Sequence, residues 1–289
     1  MQVLITVLNG LALGAILFLI AVGLSLVFGI MDVLNLAHGA VYLIGAYTAV
    51  ALFADDVTAG GFVLAVLAAA VAGALAGAAL AGMSLPVRGH LDQALLTLGV
   101  ALIVTEVMNA VFGTEVHAIP PPPGLDVSVG VFGQAYPVYR LVLVAVGAAL
   151  ALGLHLALER TRIGATLRAA VADRQMVEAL GIPTRRLVVG VFAAGAALAA
   201  VGGVLAGPLL GAQPGLDDTV LLLALVVVVI GGLGSVRGAL LGAVLVGQVQ
   251  ALGVALVPGA ASFLLFAAMG AILLLRPAGL LPARGMAQA

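Results

Sequence analysis

Apolar residues along this chain come in long, almost uninterrupted stretches rather than in the one-sided or alternating patterns of half-buried helices and strands. Such stretches recur near residues 3–28, 36–53, 62–82, 93–113, 139–158, 187–211, 219–236, 239–257 and 259–275. A bilayer core roughly 30 Å thick needs about 20 apolar residues per helix. The pattern predicts an all-α polytopic membrane protein with eight or nine transmembrane helices, some of them broken or short, in one domain over residues 1–289.

The main polar interruption runs from Glu159 to Arg186 and holds six of the chain's 11 basic residues. Positive charge places it in the cytoplasm. Within it Leu167, Val171, Val177 and Leu180 recur near helical spacing, while Arg168, Asp173, Arg174 and Glu178 face elsewhere. This predicts one short amphipathic helix over 164–181, capped by Gly181 and stopped by Pro183. Such a helix either lies on lipid headgroups or docks a soluble partner.

With 159–186 inside and nine alternating spans, Arg88, Arg237, Arg276 and Arg284 also fall inside and only Arg140 outside. Asp55, Asp56, Glu115, Asp126, Asp217 and Asp218 then fall on the outer face. The N-terminus is expected outside and the C-terminus in the cytoplasm. The outer connection 113–137 contains four consecutive prolines, Pro120 to Pro123, which favour an extended segment over a helix.

Two interruptions have more specific content. Residues 28–39 place Asp32, Asn35 and His38 between apolar runs, and residues 230–238 concentrate Gly231, Gly232, Gly234 and Ser235. Paired breaks in corresponding halves point to a transport pathway, because non-helical backbone at membrane depth survives only where protein or water satisfies it. The other reading is two tight turns at the inner face. Glu106 and Asn109 lie one turn apart on a single helical face, where an intramembrane carboxylate is a functional candidate. His155, near the inner end of its span, is expected to snorkel. Gln248 and Gln250 read as interhelical links, and Gly73/Gly77, Gly203/Gly207 and Gly238/Gly242 as sites of close helix approach.

Composition then narrows the class. The chain is 64% hydrophobic and 8% charged with a mean hydropathy of +1.32, against the roughly 25% charge of soluble domains. Cysteine is absent, which excludes disulfides and thiolate-ligated metals. Lysine is absent too, so there is no phosphate-binding Gly-x-x-x-x-Gly-Lys loop and no Schiff-base chemistry. No hydrolase or zinc motif occurs, so no catalytic residue and no metal site is assigned. Met1-Gln2 lacks the basic start of a cleavable leader, and the first apolar run is expected to stay as a helix.

Four ordered blocks carry a family resemblance. Gly23-Leu24-Ser25-Leu26-Val27-Phe28-Gly29 with Val33-Leu34-Asn35-Leu36-Ala37-His38-Gly39 opens the chain, and Arg160-Thr161-Arg162-Ile163-Gly164-Ala165-Thr166-Leu167-Arg168 with Ala179-Leu180-Gly181-Ile182 follows. Gly195-Ala196-Ala197-Leu198 with Gly202-Gly203 is the third, and Gly231-Gly232-Leu233-Gly234-Ser235 with Arg276-Pro277-Ala278-Gly279-Leu280 the last. Together they resemble the permeases of branched-chain amino acid ABC transporters, LivH type.

The resemblance implies a permease subunit in a bacterial inner membrane, not an enzyme. Its implied partners are a sister permease of LivM type, two ABC ATPase subunits, an extracytoplasmic substrate-binding protein and membrane lipid, with no nucleic acid. No cofactor is implied on this chain, ATP being used by the partner subunits. Arg162, Gly164, Arg168, Asp173, Arg174 and Gly181 become the expected ATPase-coupling residues. Asn35, His38, Glu106, Asn109, Gly231, Gly232, Gly234 and Ser235 become the expected translocation path. The family also handles urea, amides and aromatic acids, and an ion-coupled secondary transporter using Glu106, Asp32 or His38 is the rival class.

Overall fold

The computed structural model describes residues 2–31, 34–53, 57–87, 89–131 and 133–281. Asp32, Asp55, Asp56, Arg88 and Arg284 lie outside the described residues, as does the side chain of Arg174.

Eleven α-helices follow in order among the described residues: α1 Gln2–Met31, α2 His38–Leu52, α3 Ala59–Ser84, α4 His90–Phe112, α5 Val138–Arg160, α6 Arg162–Ala172, α7 Arg174–Ala179, α8 Thr184–Leu210, α9 Leu216–Gly231, α10 Val236–Leu256 and α11 Ala261–Leu275. Polar side chains set several starts. The Thr58, Thr161, Asp173 and Ser235 side chains accept from the amides of Gly61, Gly164, Met176 and Gly238, capping α3, α6, α7 and α10.

Among the described residues seven helical segments are long and apolar enough to cross a bilayer: α1, α3, α4, α5, α8, α10, and α11 with the 3₁₀ turn before it. The other two expected spans are short. At 1.5 Å per residue the 15 residues of α2 reach about 22 Å and the 16 of α9 about 24 Å, less than the roughly 30 Å of hydrocarbon.

α1 is the axis of the bundle. α8, α9, α10 and α5 pack on it, and α8 in turn carries α2 and α3. The α3–α8 seam is close because Gly73 and Gly77 face the Ala196 and Phe192 carbonyls, where a Cβ would collide. α1 is mostly buried, whereas α4 turns most of its surface out of the bundle.

The polar segment departs from the single helix expected over 164–181. Asp173 adopts an extended conformation (φ −155°) and caps a second helix, so the chain turns between α6 and α7. Gly181 then takes a left-handed conformation (φ +79°) as its C-cap role requires. Leu167 and Val177 are buried as expected, whereas Leu180 is 72% exposed.

At the opposite end, Pro120 to Pro122 have no regular structure, and the connection closes with an antiparallel hairpin, β1 Ser128–Val131 and β2 Gln134–Pro137. His117 and Ala212 exchange backbone hydrogen bonds of 2.8 and 2.9 Å, tying this connection to the α8–α9 loop.

Candidate functional site

The first break is built into the bundle. His38, at the start of α2, donates from Nε2 to the Ile20 carbonyl at 2.9 Å and is fully buried. Ile20 lies 11 residues before Met31, about 16 Å back along α1, so the chain re-enters the bundle before α2 begins. Side chains satisfy two of its backbone amides there. Asn35 Oδ1 accepts from the Ala37 amide (3.1 Å), and Thr97 Oγ1 on α4 accepts from the Leu36 amide (3.1 Å) while donating to the Ala94 carbonyl. Non-helical backbone at membrane depth demands this kind of pairing.

The two short helices meet at their first turns. Gly39 of α2 lies so close to the Asp217 carbonyl of α9 that no Cβ would fit. Asp217, one of the acids expected toward the outer face, is buried, and its Oδ2 accepts from Thr105 of α4 at 2.6 Å. Asp218 beside it is exposed. Above them Tyr47 stacks on Phe112 at 4.7 Å, with His117 edge-on at 5.9 Å.

The second break is a tight turn. Gly232 (φ +106°) and Gly234 (φ +72°) reverse the chain between α9 and α10, and Gly231 and Gly238 pack backbone to backbone. The Leu280 and Leu281 amides donate to the carbonyls of Ile230 and Gly231, closing the C-terminal segment on this turn.

A cavity of about 510 Å³ joins several of the expected residues. Gly234 and Ser235 of the second break, Gly29 of α1 and Arg168 of α6 line it together with His155 and Arg237. Gly164 sets α6 against α5, since any side chain there would strike the carbonyls of Ala157 and Leu158. Arg162 and Asp173 are exposed.

Glu106 and Asn109 do not join this group. They share one face of α4, with Asn109 Nδ2 donating to Glu106 Oε2 at 3.4 Å, and Glu106 is exposed beside Leu102, Ile103 and Val107. Gln248 links helices as expected, its amide donating to the Val7 carbonyl at 2.9 Å.

Sequence reasoning missed Thr105 and the burial of Asp217. An acid after Pro214-Gly215 reads as an exposed first-turn residue, and nothing local announces a partner 112 positions away.

Seven apolar helices of spanning length among the described residues, with a break that re-enters the bundle, define a polytopic membrane protein with the build of a permease. Residues 6–275 match the family model described as branched-chain amino acid transport system / permease component, and the chain belongs to that family. It is 32% identical to the high-affinity branched-chain amino acid transport system permease protein LivH of Escherichia coli K12, over 94% of this chain and 93% of that one. It is also 32% identical to the corresponding BraD protein of Pseudomonas aeruginosa, over 85% and 84%. PsaBC from Streptococcus pneumoniae in complex with Fab, a solved structure, aligns with 96% of this chain and 92% of that chain at 14% identity and a TM-score of 0.44.

Proposed function

We propose that this chain is the membrane-spanning subunit of an ATP-driven importer of branched-chain amino acids in a bacterial inner membrane. The observation that carries this is the family match from residue 6 to residue 275, which runs from the first turns of α1 to the end of α11. The chain acts as one permease domain, a transport subunit and not an enzyme. It works with a sister permease of LivM type, two ATPases that use the ATP, and an extracytoplasmic binding protein that delivers substrate.

α6 and α7 form the cytoplasmic coupling element. They present exposed Ile163, Met176 and Leu180 with Arg162 and Arg168, an apolar and basic surface suited to a cleft in a soluble ATPase. The Gly164 contact makes α6 and α5 move together, so closure of the ATPases is passed to the bundle. The short helices α2 and α9 complete the nine-span count by sharing the bilayer with the loops that lead into them. The path runs along α4 and these two helices, with Asn35, His38, Glu106 and Asn109 its polar groups and the Gly231–Ser235 turn near its inner mouth.

Reconstitution with co-purified ATPases and binding protein tests this. Leucine uptake is expected only with ATP; accumulation driven by a pH step without ATP overturns the reading in favour of an ion-coupled carrier.

A further inference from the structure

A second cavity of about 260 Å³ adjoins the first and shares His155, Val236, Arg237 and Leu281 with it. The two differ in chemistry. The first opens among Arg168, Arg237, His155, Glu159 and Ser235 at the α6 end of the bundle. The second is walled by Phe18, Ala151, Leu240 and Leu241, along the groove where α5 and α10 both pack on α1.

The polar end is suited to an anion. Glu159 is paired with Arg237 at 3.1 Å, which leaves Arg168 with no carboxylate partner among the described residues. The Ser235 oxygen accepts from the Gly238 amide at 3.0 Å and keeps its proton to donate. Charge alone would suit any small anion, and the groove decides between sources. From Gly29 at the polar end to Phe18 at the apolar end is 11 residues of α1, about 16 Å, close to half of a hydrocarbon core roughly 30 Å thick. A free phosphate has no use for that length of apolar wall, whereas an acyl chain of one leaflet fills it.

We propose that these joined cavities form a binding site for an anionic glycerophospholipid, its phosphate held by Arg168 and Arg237 and one acyl chain lying in the groove between α5 and α10. Basic pockets between membrane helices at a bilayer face hold acidic headgroups in this way. The lipid touches α6 through Leu167, Arg168 and Val171 and the second break through Gly234 and Ser235, so it fills the space between those two elements. Arg168 also belongs to the α6 surface assigned above to the ATPase, so the test reads lipid binding alone, through Arg237 and the groove, which that assignment does not use.

The test is native mass spectrometry of the full chain, stripped of lipid by detergent exchange and offered phosphatidylglycerol, phosphatidylcholine or inorganic phosphate. Phosphatidylglycerol is expected to be retained about fivefold better than phosphatidylcholine, a preference that Arg237→Gln abolishes. Leu241→Trp, which fills the groove, lowers retention of both lipids, and inorganic phosphate displaces neither. Equal retention of the two lipids by the unaltered chain, displacement of phosphatidylglycerol by phosphate alone, or unaltered binding in both variants would overturn the site. Arg237 is exposed, so its variant decides the matter even where Leu241→Trp fails to fold.

Discussion

The Thr105 hydroxyl donates to Asp217 Oδ2 across 2.6 Å and so joins α4 to the first turn of α9. Oδ1 of the same buried carboxylate has no hydrogen-bond partner among the described residues. One neutral hydroxyl thus links a helix that turns most of its surface out of the bundle to a short inner one, at the level where α9 also meets α2.

Removing that hydroxyl leaves a buried carboxylate with neither oxygen bonded. Thr105→Val is expected to destabilise the purified protein by about 1–3 kcal/mol, and Thr105→Ser by much less. The double variant Thr105→Val/Asp217→Val recovers part of the loss, because both partners are then apolar. Thermal unfolding in detergent measures all three, and additive losses in the double variant would show that the pair is not coupled.

At the α5–α6 corner, Gly164→Trp has to push α6 off the carbonyls of Ala157 and Leu158. Arg168→Glu leaves that corner intact and reverses the charge on the exposed surface. Both are expected to lower ATP-driven uptake roughly tenfold if α6 carries the coupling. Only Gly164→Trp should change the mobility of spin labels placed on α6. Unchanged uptake and unchanged ATPase co-purification in both would remove α6 from the coupling role.

Because the chain has no cysteine, sidedness is read from single substitutions. Ser128→Cys on the exposed hairpin and Leu180→Cys, 72% exposed after α7, are the probes. Thr184 would be a poor choice, being buried with its hydroxyl bonded to Glu178. A membrane-impermeant maleimide applied to intact cells, with any outer membrane permeabilised, is expected to label 128 and spare 180. The reverse pattern inverts the topology.

How far the chain could be read beforehand follows from the range of the forces involved. The long helices were legible because each is specified by its own apolar run: 187–211 became Thr184–Leu210 and 93–113 became His90–Phe112. The Gly181 cap was legible from composition at one position. The break at Asp173 was not, since the apolar spacing fits a continuous helix as well and the cap that the Asp173 carboxylate makes to the Met176 amide is one local choice against it. Burial of Asp217 and the meeting of Gly234, Arg168 and His155 around one cavity depend on how separate helices pack, and no local pattern encodes that.

Glu106 supplies the sharpest separation of mechanisms. Its carboxylate sits on an exposed apolar face of α4 and accepts a 3.4 Å bond from Asn109, its one partner among the described residues. An acid is costly against lipid, which is why the translocation path proposed above is drawn along this face. In that proposed path position 106 serves through hydrogen bonding, with no proton coupling. Glu106→Gln is therefore expected to keep uptake within about twofold of the parent, whereas Glu106→Leu, which can neither accept nor donate, loses about fivefold. In both variants transport should remain ATP-dependent and indifferent to an imposed proton gradient. Uptake driven by a pH step alone in reconstituted vesicles, and abolished by Glu106→Gln, would establish a proton-coupled carrier and displace the ATP-driven mechanism.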